Sequence, residues 1–259
     1  VVPTQRWRCR GPGRLKVPSI DAATLPAQIG PRRYAIAVVV DVLRATTTIA
    51  SMLDSGAVGV APVAELDDAR RLKAGSRGLL LAGERGGLAP EGFDLGNSPG
   101  PERLSMVRGR EVVLSTTNGT RAVARSRGSA GGVAALSLTN LDAVVGWLGR
   151  RRGDVIVVCS GTDGSRSLED EVAGGMLVAS LGALGWNRTE RARDLAESAA
   201  LSLGDAGGVG GAVRASPHAC RLIGMGFEDD VVFCSRLSVT RTVPVLVERD
   251  GGAAWFVAS

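Results

Sequence analysis

The chain has 259 residues, 44% of them hydrophobic and 22% charged, which suits one large globular domain or two small ones and excludes wholesale disorder. Aromatic residues are only 3%, so the core must come from Val, Leu, Ile and Ala, as in buried parallel sheets, and little is left for stacking single-stranded nucleic acid. The net charge of +5 belongs to residues 1–16, where Arg6, Arg8, Arg10, Arg14 and Lys16 stand without an acid, leaving 26 basic against 26 acidic residues elsewhere. A neutral body gives no ground for a nucleic-acid partner. No stretch approaches the roughly 20 apolar residues that span a bilayer, so no membrane partner is expected. Residues 1–20 read as a basic, disordered head rich in Pro and Gly, without the apolar h-region of a secretory signal.

In chain order, Tyr34–Val40 reads as a fully buried strand. Ala45–Leu53 follows as a helix, its Thr-rich start suiting an N-terminus. Val58–Val63 is a second strand, and Glu65–Lys73 an exposed helix with Leu66, Ala69 and Leu72 on one face. Gly78–Ala82, Val112–Leu114 and Val133–Leu138 continue the strands, and Asn140 caps a helix running to about Leu148. Asp154–Val158 is a sixth strand, ahead of helices at Leu168–Leu184 and Arg188–Leu201. The glycine-rich stretch 204–211 is either a loop or the edge of a smaller C-terminal subdomain. Beyond it come a helix over Ser216–Met225 and strands at Val231–Phe233 and Val243–Val247. This alternation predicts an α/β domain over residues 21–259, with a layered, largely parallel sheet and helices on both faces.

Polar residues collect behind the strands. The first strand ends in Asp41-Val-Leu-Arg44-Ala-Thr-Thr-Thr48, the third in Gly83-Glu84-Arg85-Gly86 with Asp94 and Asn97 in its long loop. The fourth ends in Ser115-Thr116-Thr117-Asn118-Gly119-Thr120-Arg121, and the sixth in Cys159-Ser-Gly-Thr162-Asp163, leading to Glu169 and Asp170. In a parallel sheet these ends share the edge where α/β proteins bind ligands. Ser115–Thr120, at a strand-to-helix turn, offers backbone N–H groups and hydroxyls to a phosphate. Asp41, Glu84, Asp94, Glu169 and Asp170 offer hard oxygens, which suit Mg²⁺ held by one or two carboxylates plus substrate and water. Arg44, Arg85 and Arg121 could clamp a carboxylate, sulfonate or phosphate. The plainer reading of the same residues is turn and cap chemistry with surface ion pairs.

Several familiar chemistries are absent. The chain has one histidine, His218, and four cysteines, Cys9, Cys159, Cys220 and Cys234, without C-x-x-C or zinc-ligand spacing. Reduced thiols in a cytoplasmic protein are expected. Six residues separate Cys159 from Arg166, one too many for the thiol-phosphatase loop. Asp41-Val-Leu-Arg44 lacks the second Asp of the D-x-D phosphatases, and no Walker A loop is present.

Taken together, Asp41–Ile49, Gly83-Glu84-Arg85, Gly92–Pro99, Ser115–Thr120 and Ser167–Asp170, five motifs in order, resemble the 2-phosphosulfolactate phosphatase family. His218 and Asp230 fall where that family tends to carry a His and an Asp, and the resemblance spans about residues 34–248. It implies a Mg²⁺-dependent acid phosphatase that converts 2-phospho-3-sulfolactate to 3-sulfolactate and phosphate, a step toward coenzyme M. The partner would be a small anionic phosphorylated substrate, and a homo-oligomer stays open. By the same resemblance Asp41, Glu84, Glu169 and Asp170 are the metal candidates, and Ser115, Thr116, Thr117, Asn118, Gly119 and Thr120 hold the phosphoryl group. Arg44, Arg85 and Arg121 hold the sulfonate and carboxylate. A metal-bound water, Asp41 or Cys159 is the nucleophile, and His218 is the candidate general acid. A non-catalytic binder of an anionic metabolite on the same fold is the alternative.

Overall fold

The computed structural model describes residues 17–76, 78–100, 104–249 and 253–259. Its strands form where β-branched and small apolar residues run together. In chain order the first are β1 (Ser19–Ala23), β2 (Ile36–Val40), β3 (Gly59–Val63), β4 (Leu80–Gly83) and β5 (Glu111–Ser115). They are followed by β6 (Val133–Leu136), β7 (Val155–Cys159), β8 (Asn187–Arg188), β9 (Pro244–Glu248) and β10 (Ala254–Ala258). Between them lie helices α1 (Ala45–Asp54), α2 (Leu66–Ala74), α3 (Gly119–Arg127), α4 (Leu141–Gly149) and α5 (Leu168–Ala183). Four more, α6 (Glu190–Asp205), α7 (Val209–Arg214), α8 (Pro217–Gly224) and α9 (Glu228–Cys234), complete the α-helices among the described residues. β2 (IAVVV) and β7 (VIVVC) are buried at every position, as central strands covered on both faces must be.

The ten strands form one sheet in the order β4-β5-β3-β10-β9-β6-β2-β7-β1-β8. β4, β5 and β3 pair in parallel, as do β6, β2, β7, β1 and β8. The hairpin β9–β10 joins these two blocks through antiparallel ladders on either side, Ala134 opposite Val245 and Phe256 opposite Val60. Three antiparallel junctions reverse direction three times, so the two blocks run opposite ways through the sheet. The single shared edge expected from the sequence is therefore replaced by two blocks whose turns meet across α1 and α3. Val39, Val133 and Ala135 of one block share a hydrophobic cluster with Leu80, Ala82, Val112 and Leu114 of the other, with Ile49 and Met52 of α1 and Ala122 and Val123 of α3 between them. The opposite face of β2, β6 and β7 packs on α4 and α5, so helices do cover both faces.

α1 is buried from Ala45 to Leu53, which its threonines tolerate because each hydroxyl finds a backbone carbonyl. Thr46 Oγ1 donates to the carbonyls of Asp41 and Leu136, Thr47 Oγ1 to Val42, and Thr48 Oγ1 to Asn97. Buried hydroxyls satisfied in this way cost little and fix the helix between the blocks.

Several details depart from the sequence reading. Val231–Phe233 lies inside α9 rather than forming a strand: acids at Glu228, Asp229 and Asp230 fill its first turn, where the helix dipole favours them. Asn140 precedes α4 as expected, but its Oδ1 accepts from the Ser137 N–H instead of from the helix. β1 begins at Ser19, inside the segment read as head, while residues 1–16 and Cys9 lie outside the described residues. The 204–211 stretch is divided among the end of α6, a turn at 206–208 and the start of α7, and Ala212, Val213, Ala219, Leu222 and Val231 beyond it share one cluster with α5. Among the described residues no helix is long and apolar enough to cross a membrane.

Candidate active site

β2 delivers Asp41 to a cavity where turns of both blocks meet. The turn is tied by three bonds of 3.0 Å: Asp41 N–H donates to Thr46 Oγ1, its carbonyl accepts from the Thr46 N–H, and Oδ1 accepts from the Ala45 N–H. Gly119, which opens α3, lies so close that a Cβ there would sit 2.6 Å from Asp41 Oδ2 and 2.6 Å from Ala45 Cβ. Only glycine lets the helix end approach the carboxylate. Burial, with Glu84 and Glu169 nearby, pushes the Asp41 carboxyl up to about 7 against the opposing pull of the Ala45 N–H and Arg44.

Glu84 on the same cavity wall spans two loops, its Oε2 accepting from the Gly87 N–H at 2.9 Å and its Oε1 from the Thr117 N–H at 2.8 Å. The Thr117 amide expected to meet phosphate is thus engaged by Glu84. Thr116, Thr117 and Asn118 still line the cavity, and the first-turn amides of α3 have no helical acceptor. Arg44 is buried and held from three sides. It donates from Nη1 to Asp230 Oδ2 at 2.6 Å and from Nη2 to the Gly87 carbonyl at 2.7 Å, and its guanidinium lies 4.4 Å from the Phe227 ring centre. Ser98 Oγ donates to the same Asp230 oxygen at 2.7 Å.

The far wall is one face of α8. Ser216 caps this helix through its Oγ, which accepts from the Ala219 N–H at 3.1 Å. His218, Arg221, Leu222 and Met225 then follow at helical spacing onto the cavity. His218 Nδ1 lies 3.2 Å from Thr162 Oγ1, which in turn lies 2.8 Å from Ser167 Oγ. Burial, with Arg44 and Arg221 nearby, lowers the His218 pKa below its usual 6.5, which favours the neutral imidazole.

Glu169 and Asp170 stand behind this wall at the start of α5, both buried. Asp170 is stapled between two turns, Oδ1 accepting from the Val42 N–H at 2.8 Å and Oδ2 from the Gly161 N–H at 3.1 Å. Burial and the charges of Asp41 and Glu169 raise its pKa well above the usual value. Glu169 is likewise raised, first by burial, and its Oε2 is buried without a hydrogen-bond partner among the described residues.

Other expected residues fall elsewhere. Cys159 is fully buried beside Gly174, off the cavity wall, and burial drives its thiol far up. Arg85 turns away from the cavity, donating to the carbonyls of Glu84 and Ala64 and to Ser115 Oγ, which removes both Arg85 and Ser115 from the wall. Thr120 Oγ1 donates back to the Thr116 carbonyl, and Arg121 is exposed on α3 outside the cavity. Asp94 instead anchors its loop, accepting from the Leu81 N–H and Lys73 Nζ. The sequence reading gave no role here to Arg221 or Leu222, which the helical spacing from His218 would have pointed to, nor to Asn97, whose loop it had noted.

For a divalent cation, the described residues hold no group of three His, Cys, Asp or Glu side chains arranged as a cage. Mg²⁺ asks for less, one or two carboxylates with the remainder from water and substrate. Asp41 and Glu84 line one cavity, and a cation there would relieve both the burial and the neighbouring Glu84 and Glu169 charges that raise Asp41. The donor set fits.

An α/β scaffold that brings carboxylates, an anion-receptive helix start and a neutral imidazole to one cavity defines an enzyme of the phosphoryl-transfer kind. Residues 24–249 match the family described as 2-phosphosulpholactate phosphatase. The chain is 40% identical over 232 residues to a "Probable 2-phosphosulfolactate phosphatase" of Thermotoga petrophila, covering 88% of this chain and 95% of that one. It is 39% identical over 227 residues to a protein of the same printed name from Deinococcus radiodurans, covering 86% and 93%. A third, from Synechococcus, is 42% identical over 224 residues, covering 82% and 88%. The chain belongs to the 2-phosphosulpholactate phosphatase family, and with it to the phosphoric monoester hydrolases.

Proposed function

We propose that this protein hydrolyses 2-phospho-3-sulfolactate, or a related 2-phospho-hydroxy acid, to the hydroxy acid and phosphate with the help of Mg²⁺. The observation that carries this reading is Asp41, held by Gly119 against the start of α3 on the cavity wall. Asp41 and Glu84 would hold the cation, which neutralises charge on the phosphoryl oxygens when bound. The chain's own groups do the rest. The α3 N-terminus and the Thr116 hydroxyl bind phosphoryl oxygens. Arg44, fixed by Asp230, keeps the Gly87 loop in place and lends positive charge to the anion. His218 faces the departing ester oxygen; with a pKa below 6.5 it donates a proton best under acid conditions. Cytoplasmic action on a soluble metabolite, in the direction of coenzyme M, accords with the family resemblance.

The test is phosphate release from 2-phospho-3-sulfolactate and 2-phospholactate, with Mg²⁺ and in excess EDTA. Release that stops in EDTA and returns with Mg²⁺ is expected. Full turnover by demonstrably metal-free protein removes the cation from the reaction, and no release from any ester at any pH leaves a non-catalytic binder.

A further inference from the structure

Among the described residues of the cavity wall, two are cationic, Arg44 and Arg221. They differ in how far they are already committed. Both terminal nitrogens of Arg44 donate within the protein, and one face of its guanidinium is covered by Phe227. Arg221, by contrast, is half exposed, and its partner is Asp163 Oδ2 at 3.6 Å, on a side chain more exposed still. That separation is beyond hydrogen-bond distance, and an exposed pair of this kind holds its members weakly. Arg221 can therefore exchange Asp163 for a better anion at little cost. It also stands one helical turn after His218 on the cavity face of α8, in the cavity that Thr116, Thr117 and Asn118 at the start of α3 also line.

We propose that Arg221 is a specificity-determining residue that reads a second anionic group, carboxylate or sulfonate, on the carbon chain of the phosphate ester. The proposal rests on the phosphatase reading and takes over the role that the sequence gave to Arg85 and Arg121, both of which lie off the cavity wall. The planar guanidinium fork suits both oxyanions, and the Asp163 carboxylate beside it is the internal stand-in that substrate displaces. A phosphate cradle alone treats all monoesters alike, so discrimination requires a cation at the other end.

The experiment compares wild type with Arg221→Gln on three esters. Glycerol 2-phosphate carries no second anion, 2-phospholactate adds a carboxylate, and the phosphate ester of 2-hydroxyethanesulfonate adds a sulfonate. Arg221→Gln is expected to lower the kcat/KM preference for the carboxylate or the sulfonate ester over glycerol 2-phosphate by about ten- to a hundredfold, mainly through KM. Which ratio falls tells which anion is read, and equal melting temperatures show that the fold is kept. Unchanged ratios for both esters overturn the assignment. Calorimetric binding of 2-phospholactate and the sulfonate ester, measured in parallel, separates this inference from the enzymatic one. Weakened binding by Arg221→Gln in a protein that releases no phosphate upholds Arg221 and defeats the phosphatase reading. Equal binding of both esters, or none by wild type, defeats Arg221.

Discussion

At the scale of single residues, one carboxylate concentrates the cost and the chemistry. Asp41 is buried among other acids, and its carboxyl is raised to about 7. A raised group stabilises the fold fully below its unfolded value near 3.8 and loses that contribution as pH rises through about 7. At pH 8 the wild type therefore bears a buried charge that Asn does not. Asp41→Asn keeps an oxygen for the Ala45 N–H, so it is expected to melt no lower than wild type at pH 8 while turnover falls by about a hundredfold or more. Wild-type turnover in the folded variant would return Asp41 to the role of a helix cap. Gly119→Ala approaches the same carboxylate from the other side. Its new methyl meets Asp41 Oδ2 and Ala45 Cβ at 2.6 Å, so it is expected to cost about 1–3 kcal/mol in denaturant titration and to depress turnover as well.

At the scale of elements, β1 shows how a polar cluster can serve the fold instead of the reaction. Asp21 accepts from Tyr34 Oη at 2.5 Å, Thr189 Oγ1 at 2.7 Å and Arg191 Nη2 at 2.5 Å, tying β1 to the entry of β2 and to α6. Burial alone would raise its pKa, yet the bonds from Arg191, Tyr34, Thr189 and the Ala22 N–H together lower it. A lowered carboxyl stabilises the fold above its unfolded value and loses that contribution as pH falls through the folded one. Asp21→Asn is expected to cost about 1–3 kcal/mol near neutrality, with the half-exposed Arg191 moderating the loss. The gap to wild type should close below about pH 4; a gap that stays constant down to pH 3 would mean the carboxylate charge contributes nothing. Elements of this kind were only partly legible. The central strands and α5 announce themselves by continuous apolar runs or by helical spacing. β1 was lost because it abuts the basic head, and α9 because Val231, Val232 and Phe233 suggest a strand until the three acids before them are weighed. The lining of the candidate cavity was legible where turn chemistry and cavity coincide, at Asp41, Glu84, Thr116 and His218. It was illegible at Arg85 and Cys159, since sequence position gives no sign of which way a side chain turns.

For the whole molecule, the feature that matters is another strand that the sequence reading passed over. β10 lies between β3 and β9, where Phe256 is fully buried in the cluster shared by both blocks and Trp255 packs in the neighbouring one. Phe256→Ala is expected to lower unfolding free energy by about 3–5 kcal/mol, and because the cavity draws on both blocks, activity should be lost along the same denaturation curve as the fold. Activity that outlives the cooperative transition would show that one block suffices. The position of β10 also orders events in time. Glu84, Thr116 and Asn118 stand on turns of one block, Asp41 and Thr162 on turns of the other, and residues 254–258 join the two. A ribosome making this chain has already delivered every residue of the cavity before it reaches the strand that holds the halves together. Until that strand emerges, the edges of β3 and β9 that it covers stand open, and open strand edges are where a growing chain misassembles.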